Sequence, residues 1–140
     1  MFIKQLSIFV ENKFGRLESI VDVLSKNNIN IRALSLADTE NYGVLRVIVD
    51  DAEKAKKALN DVGVIAKLTD VVAVYLDDRS GGLASVLSVL KDAKISIEYM
   101  YAFLGRTEGK ALMVLKAEDE KATEEVLLKN NIPMASQEDI

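Results

Sequence analysis

Two short stretches carry the same order of chemical types 66 residues apart: Glu11-Asn12-Lys13-Phe14-Gly15-Arg16-Leu17 and Asp77-Asp78-Arg79-Ser80-Gly81-Gly82-Leu83. Each follows an apolar run with strand character and opens one with helix character. A helix starting near Gly15 or Gly81 leaves its first N–H groups unpaired, with the positive end of the helix dipole behind them. That is a receptor for a carboxylate. Glycine lets a ligand approach the backbone closely, and Gly81-Gly82 offers this twice. Asn12 can accept from an ammonium or donate to a carboxylate, and Asp78 can pair with an α-amino group. Leu17, Leu83, Ile31 and Ile97 would supply apolar walls. The chemistry these types suggest is non-covalent recognition of a small molecule, an amino acid above all. A plainer reading stands beside it: a turn glycine, a capping asparagine and core leucines.

Catalysis is not expected. The 140 residues contain no His and no Cys, so there is no imidazole base, thiolate nucleophile or zinc cluster. There is no P-loop or G-x-G-x-x-G, and Gly81-Gly82 is too short to cradle a nucleotide's phosphates. The closely spaced acids Asp50-Asp51 and Asp77-Asp78 could suggest Mg²⁺, but neighbouring acids are common at turns and Asp51 reads as a helix cap. No cofactor and no metal are expected.

Net charge is −4 with a sequence pI near 4.9. No basic stripe is offered to phosphates, so nucleic acid is not an expected partner. The longest apolar runs, Val71–Leu76 and Tyr99–Leu104, are too short to span a bilayer, and Met1-Phe2-Ile3-Lys4-Gln5 lacks the layout of a signal peptide. Without cysteine there is no disulfide framework. A cytoplasmic protein that touches no membrane is expected.

The elements that must position the two stretches follow from periodicity. Leu6, Ile8 and Val10 alternate onto one face of a strand over Ile3–Val10. Leu17, Ile20, Val21 and Leu24 then form one stripe of an amphipathic helix that Asn27-Asn28 ends. Ile29–Ala37 reads as a second strand, Asp38–Gly43 as a polar hairpin turn and Val44–Val49 as a third strand. Asp51 caps a helix with stripe Ala52, Ala55, Leu59 and Val62, Gly63 stops it, and Val64–Leu68 is a fourth strand. Only Thr69-Asp70 separates this from the next strand, Val71–Leu76.

The second half repeats the first. Leu83, Val86, Leu87 and Leu90 give the helical stripe, Ile95–Ala102 the second strand, Gly105–Gly109 the turn and Ala111–Lys116 the third strand. Asp119 caps a helix through Leu128, Asn130-Asn131 stop it, Ile132–Ala135 is a short last strand, and the tail Ser136–Ile140 is expected to fray. Gly15/Gly81, Leu17/Leu83, Ser19/Ser85, Leu24/Leu90, Ile29/Ile95 and Ile31/Ile97 all match at one offset. The fold class expected is α+β. Two tandem ferredoxin-like βαββαβ units, 1–69 and 70–140, each carry an antiparallel four-stranded sheet with helices on one face, packed edge to edge into an eight-stranded sheet.

These residues resemble the ACT domains, a family of small regulatory modules. The resemblance rests on Glu11–Leu17 after the first strand and Asn28-Ile29-Asn30-Ile31 opening the second. It extends to a second copy through Gly81-Gly82-Leu83 and Ile95-Ser96-Ile97. It implies the βαββαβ fold, amino-acid binding and side-by-side pairing through strand two, with ligand near the turn–helix junctions at the interface between units. Polar contacts would come from Asn12 and Asn30, and in the second copy from Asp78 and Ser96. Around them stand Phe14, Gly15, Arg16, Leu17 and Ile31, and correspondingly Ser80, Gly81, Gly82, Leu83 and Ile97. Phe14 and Ser80 occupy a place where the family usually has proline. The function implied is ligand sensing that regulates a partner enzyme or regulator, in a homodimer. The alternative is a ligand-free adaptor or oligomerisation module of the same fold.

Overall fold

The computed structural model describes residues 1–38, 41–105 and 107–140, and among them lie four α-helices and seven strands. The chain divides into two units: Lys4–Thr69, and Asp70–Ile140 together with Met1–Ile3.

The first unit runs β1 (Ile3–Glu11), α1 (Arg16–Lys26), β2 (Ile31–Asp38), β3 (Tyr42–Val49), α2 (Ala52–Asp61) and the start of β4 (Ala66–Asp77). Its strand order is β2-β3-β1-β4. β1 and β3 are antiparallel, with Leu6 opposite Val47 and Ile8 opposite Leu45, so alternation puts these four on one face. There they meet Ile20 and Leu24 of α1 and Ala55 and Leu59 of α2, all buried. Each fully buried Leu or Ile contributes about 2 kcal/mol of transfer free energy. On the same unit Gln5 is fully buried and hydrogen-bonds Ser7 Oγ at 3.1 Å, which in turn lies 3.2 Å from Thr69 Oγ1.

The second unit comprises the remainder of β4, α3 (Gly82–Asp92), β5 (Ile97–Ala102), β6 (Lys110–Ala117), α4 (Glu120–Lys129) and β7 (Met134–Ala135). β4 pairs antiparallel with β6 on one side and β7 on the other, and β5 pairs antiparallel with β6. Val72, Val74, Val86, Leu90, Leu115 and Leu127 form its core. The two units share the βαββαβ order and the ferredoxin-like sheet, as the periodicity implies.

The structure departs from the sequence reading in four places. The strands expected on either side of Thr69-Asp70 are one continuous β4, so seven strands appear rather than eight. Thr69 and Asp70 are polar and stay partly or fully exposed within the strand. Strand two begins at Ile31 rather than Ile29, because the Ile29 N–H still closes the end of α1 on the Leu24 carbonyl. The corresponding Ile95 N–H closes α3 on Leu90, and β5 starts at Ile97. The tail is ordered as a short 3₁₀ turn, Gln137–Asp139, closed by a reciprocal capping box between Ser136 and Asp139. The two expected hairpin turns include residues 39, 40 and 106, which lie outside the described residues.

All four helices end on a left-handed residue: Asn28, Gly63, Lys94 and Asn131, at φ 56°, 81°, 59° and 56°. Asn and Gly adopt this readily, whereas a long side chain does so at a cost of about 1 kcal/mol. The helix starts differ within each unit. Asp51 accepts from the Lys54 N–H at 3.1 Å and Asp119 from the Ala122 N–H at 3.0 Å, whereas α1 and α3 start at left-handed Gly15 and Gly81 with no side-chain cap. Replacing Asp51 or Asp119 by alanine should each cost about 1 kcal/mol in urea unfolding.

Candidate functional site

The two turns fold by the same hydrogen bonds, one for one. Lys13 N–H donates to Glu11 O and Arg79 N–H to Asp77 O; Arg16 N–H donates to Lys13 O and Gly82 N–H to Arg79 O. Ser19 and Ser85 each bond the carbonyl of the turn glycine through both N–H and hydroxyl. The backbone N–H of Asn12 bonds Asn41 O, and that of Asp78 bonds Gly109 O. The chemical repeat is therefore a structural one, and it leaves the first turn of α1 and of α3 without a side-chain cap.

The side chains differ more than the backbones. Phe14 is fully exposed and packs on nothing in its own unit. Leu17 packs against the first core, whereas Leu83 is 39% exposed. Gly82 is buried, and a Cβ there would lie 2.9 Å from the Asp77 carbonyl carbon and closer still to its oxygen. Packing of α3 against β4 thus accounts for this glycine.

At each turn an acid is held in its ionised form. The Lys13 ammonium, hydrogen-bonded to Glu11 at 2.9 Å, holds that carboxyl below its ordinary 4.5, with Arg16 at 3.9 Å adding its charge. Lys110, at 2.5 Å, does the same for Asp77 against an ordinary 3.8, with Arg79 at 3.5 Å adding to it. A depressed folded-state pKa gives stability that is complete above the ordinary value and lost as pH falls through the folded one. Burial instead pushes the Glu120 carboxyl above 4.5, so that residue favours the folded state as acid is added. Lys110→Met should therefore shallow the loss of stability on the acid side of pH 3.8, measured by urea unfolding across that range.

The sequence-predicted residues do not form one cluster within a unit. Asn12, Phe14, Gly15, Arg16 and Leu17 sit at the start of α1, while Asn30 and Ile31 sit beyond its end. The 11-residue helix between them is about 16 Å long at 1.5 Å per residue. Asp78, Ser80, Gly81, Gly82 and Leu83 are separated from Ser96 and Ile97 by α3 in the same way.

Each end of the helix has its own concavity, and each concavity occurs twice. At the strand-two end, Val21, Leu24, Ser25, Asn28, Ile29, Asn30 and Ile31 line an open groove of about 450 Å³. The second unit's groove, about 500 Å³, uses the seven equivalent positions, from Leu87 to Ile97. At the turn end, Glu11, Arg16 and Ile20 line a cavity of about 170 Å³ with Val62–Ile65. Its counterpart of about 370 Å³ places Asp77, Gly82 and Val86 against Asn130–Pro133. Sequence reasoning missed Ser25, Lys91 and Lys94, and it read Asn28 as a helix stop leading into strand two. It also missed the turn-end cavities, because their second wall repeats at a longer offset than their first.

Three of the four acids considered for a metal, Asp50, Asp51 and Asp77, have structural partners. Asp50 Oδ1 accepts from the Asn30 N–H at 3.1 Å, Asp51 caps α2, and no metal-ligating cluster occurs among the described residues.

Over residues 1–140 the sequence matches the ACT domain pair. The chain belongs to the ACT domain family. This ACT pair is 40% identical to protein BT0572 from Bacteroides thetaiotaomicron, whose crystal structure it matches with a TM-score of 0.93 over 99% of this chain and 95% of that one. The regulatory subunits of aspartate kinase from Thermus thermophilus, in ligand-free form, and from Thermus flavus share its fold. Both are 16% identical, with TM-scores of 0.64 and 0.60 over 90% of each chain. No curated protein matches this chain in sequence. The family is regulatory rather than catalytic, which assigns the ACT pair a regulatory role. Among the described residues no helix is long and apolar enough to cross a membrane.

Proposed function

We propose that this ACT pair senses an amino acid and passes the signal to a partner enzyme or regulator in the cytoplasm. The observation that carries the reading is the twice-built groove at the start of strand two. Its floor is apolar, from Val21, Leu24, Ile29 and Ile31, and Asn30 stands at its mouth with both donor and acceptor atoms. α1 separates this groove from the uncapped turn of its own unit, so the two are distinct positions. A sensor requires a ligand with different affinity for two states of the protein, since an effector acts only through that difference. Two proteins of this fold are regulatory subunits of aspartate kinase, which supports a regulatory reading.

Thermal unfolding with each of the twenty amino acids tests the reading. At least one should raise Tm, and Asn30→Ala should diminish that rise; no rise with any would refute it. The adaptor reading is favoured by one observation: edge strand β2 exposes Leu34 and Leu36. These also suit pairing of two copies through that edge. Sedimentation of Leu36→Lys should report a monomer if they do.

A further inference from the structure

The two strand-two grooves share a backbone but not a charge. Where the first has Ser25, Asn28 and Asn30, the second has Lys91, Lys94 and Ser96. Backbone bonds hold the positions in register: Asn28 N–H donates to Ser25 O and Lys94 N–H to Lys91 O, while Asp50 N–H donates to Asn30 O and Glu118 N–H to Ser96 O. An acid, Asp50 or Glu118, is bonded through its backbone to the strand-two start in each unit, so the two lysines are the difference in charge between the groove linings. Neither lysine makes an ion pair among the described residues, and both are exposed at the groove.

Lys94 is also out of place conformationally. It holds φ 59° at the helix-ending position where the other three helices carry Asn28, Gly63 and Asn131. A long side chain in the left-handed region is disfavoured, and such outliers persist where function retains them. Lysine near a helix C-terminus does gain from the dipole, which accounts for Lys91 alone but does not call for the strained position.

We infer that Lys91 and Lys94 make the second groove a site for an acidic amino acid, a ligand with a side-chain carboxylate, while the first groove takes an uncharged one. The inference rests on reading the strand-two grooves as ligand sites. One ammonium meets the α-carboxylate and the other the side-chain carboxylate, while Ile95 and Ile97 line the apolar wall between them. The two halves of the pair would then report on two ligands.

Isothermal calorimetry on the full chain at low ionic strength, with aspartate, glutamate, asparagine and glutamine, tests this. Wild type should bind the acids about ten-fold more tightly than their isosteric amides, the size of one charge-assisted contact. Added salt should narrow the gap. The double variant K91S/K94N restores the first unit's residues and relieves the strain at position 94, so it should be at least as stable as wild type in urea. It should lose the preference for acids. Equal binding of acids and amides by wild type, or a preference retained by K91S/K94N, overturns the inference and leaves the sensor reading standing. No heat and no stabilisation with any amino acid overturns both.

Discussion

Gly82→Ala is expected to destabilise the protein by about 3 kcal/mol, at the upper end of overpacking penalties. The atoms a Cβ would meet are backbone, Asp77 O and C, so no side chain can rotate away and α3 must shift off β4. Gly15 provides the control. It is the turn glycine of the first unit, with φ 77° and nothing within 4 Å of a Cβ, so Gly15→Ala should cost only the left-handed penalty of about 1 kcal/mol. Urea unfolding of the two variants separates the explanations. Equal, small losses would mean that Gly82 is not a packing glycine and that its α-carbon is free for a ligand.

Leu24→Ala is expected to cost about 3 kcal/mol, within the usual range for a buried leucine in a well-packed core. Leu24 is fully buried, packs in the first core and also forms the floor of the first groove. Its truncation should therefore weaken any ligand of that groove as well as the fold. Leu34→Ala, on exposed β2, should change stability little by comparison. Chemical unfolding of both variants reads the contrast directly, and similar losses would contradict the core assignment.

The fold was legible because its two periods are clean. Leu6, Ile8 and Val10 alternate, Leu17, Ile20 and Leu24 recur at helical spacing, and the repeat states each pattern a second time. What was not legible lies where a local signal competes with tertiary pairing. Thr69-Asp70 looks like a break in polarity, yet β4 runs through it. Ile29 looks like a strand residue, yet its N–H closes a helix. Asn12 and Asn30 were nominated together from the resemblance, although the helix that the periodicity places between them already sets them at its opposite ends. Gly82 shows the opposite limit: a glycine beside a glycine suggests ligand access, whereas the carbonyl of Asp77 supplies a packing reason for it. Ser25, Lys91 and Lys94 were hidden because nothing in their type or local spacing nominates a ligand, and Asn28 because a helix stop has a sufficient local explanation.

The central claim is that an amino acid is held in the grooves at the strand-two starts. Amide NMR of the isotope-labelled chain, titrated with an amino acid that raises Tm, tests it most directly. The expected result is that the amides of Asn28, Ile29, Asn30 and Ile31 in the first groove, or of Lys94, Ile95, Ser96 and Ile97 in the second, move on titration. They should saturate at one common midpoint. Shifts confined to other residues, or no shift with any of the twenty amino acids, would contradict it.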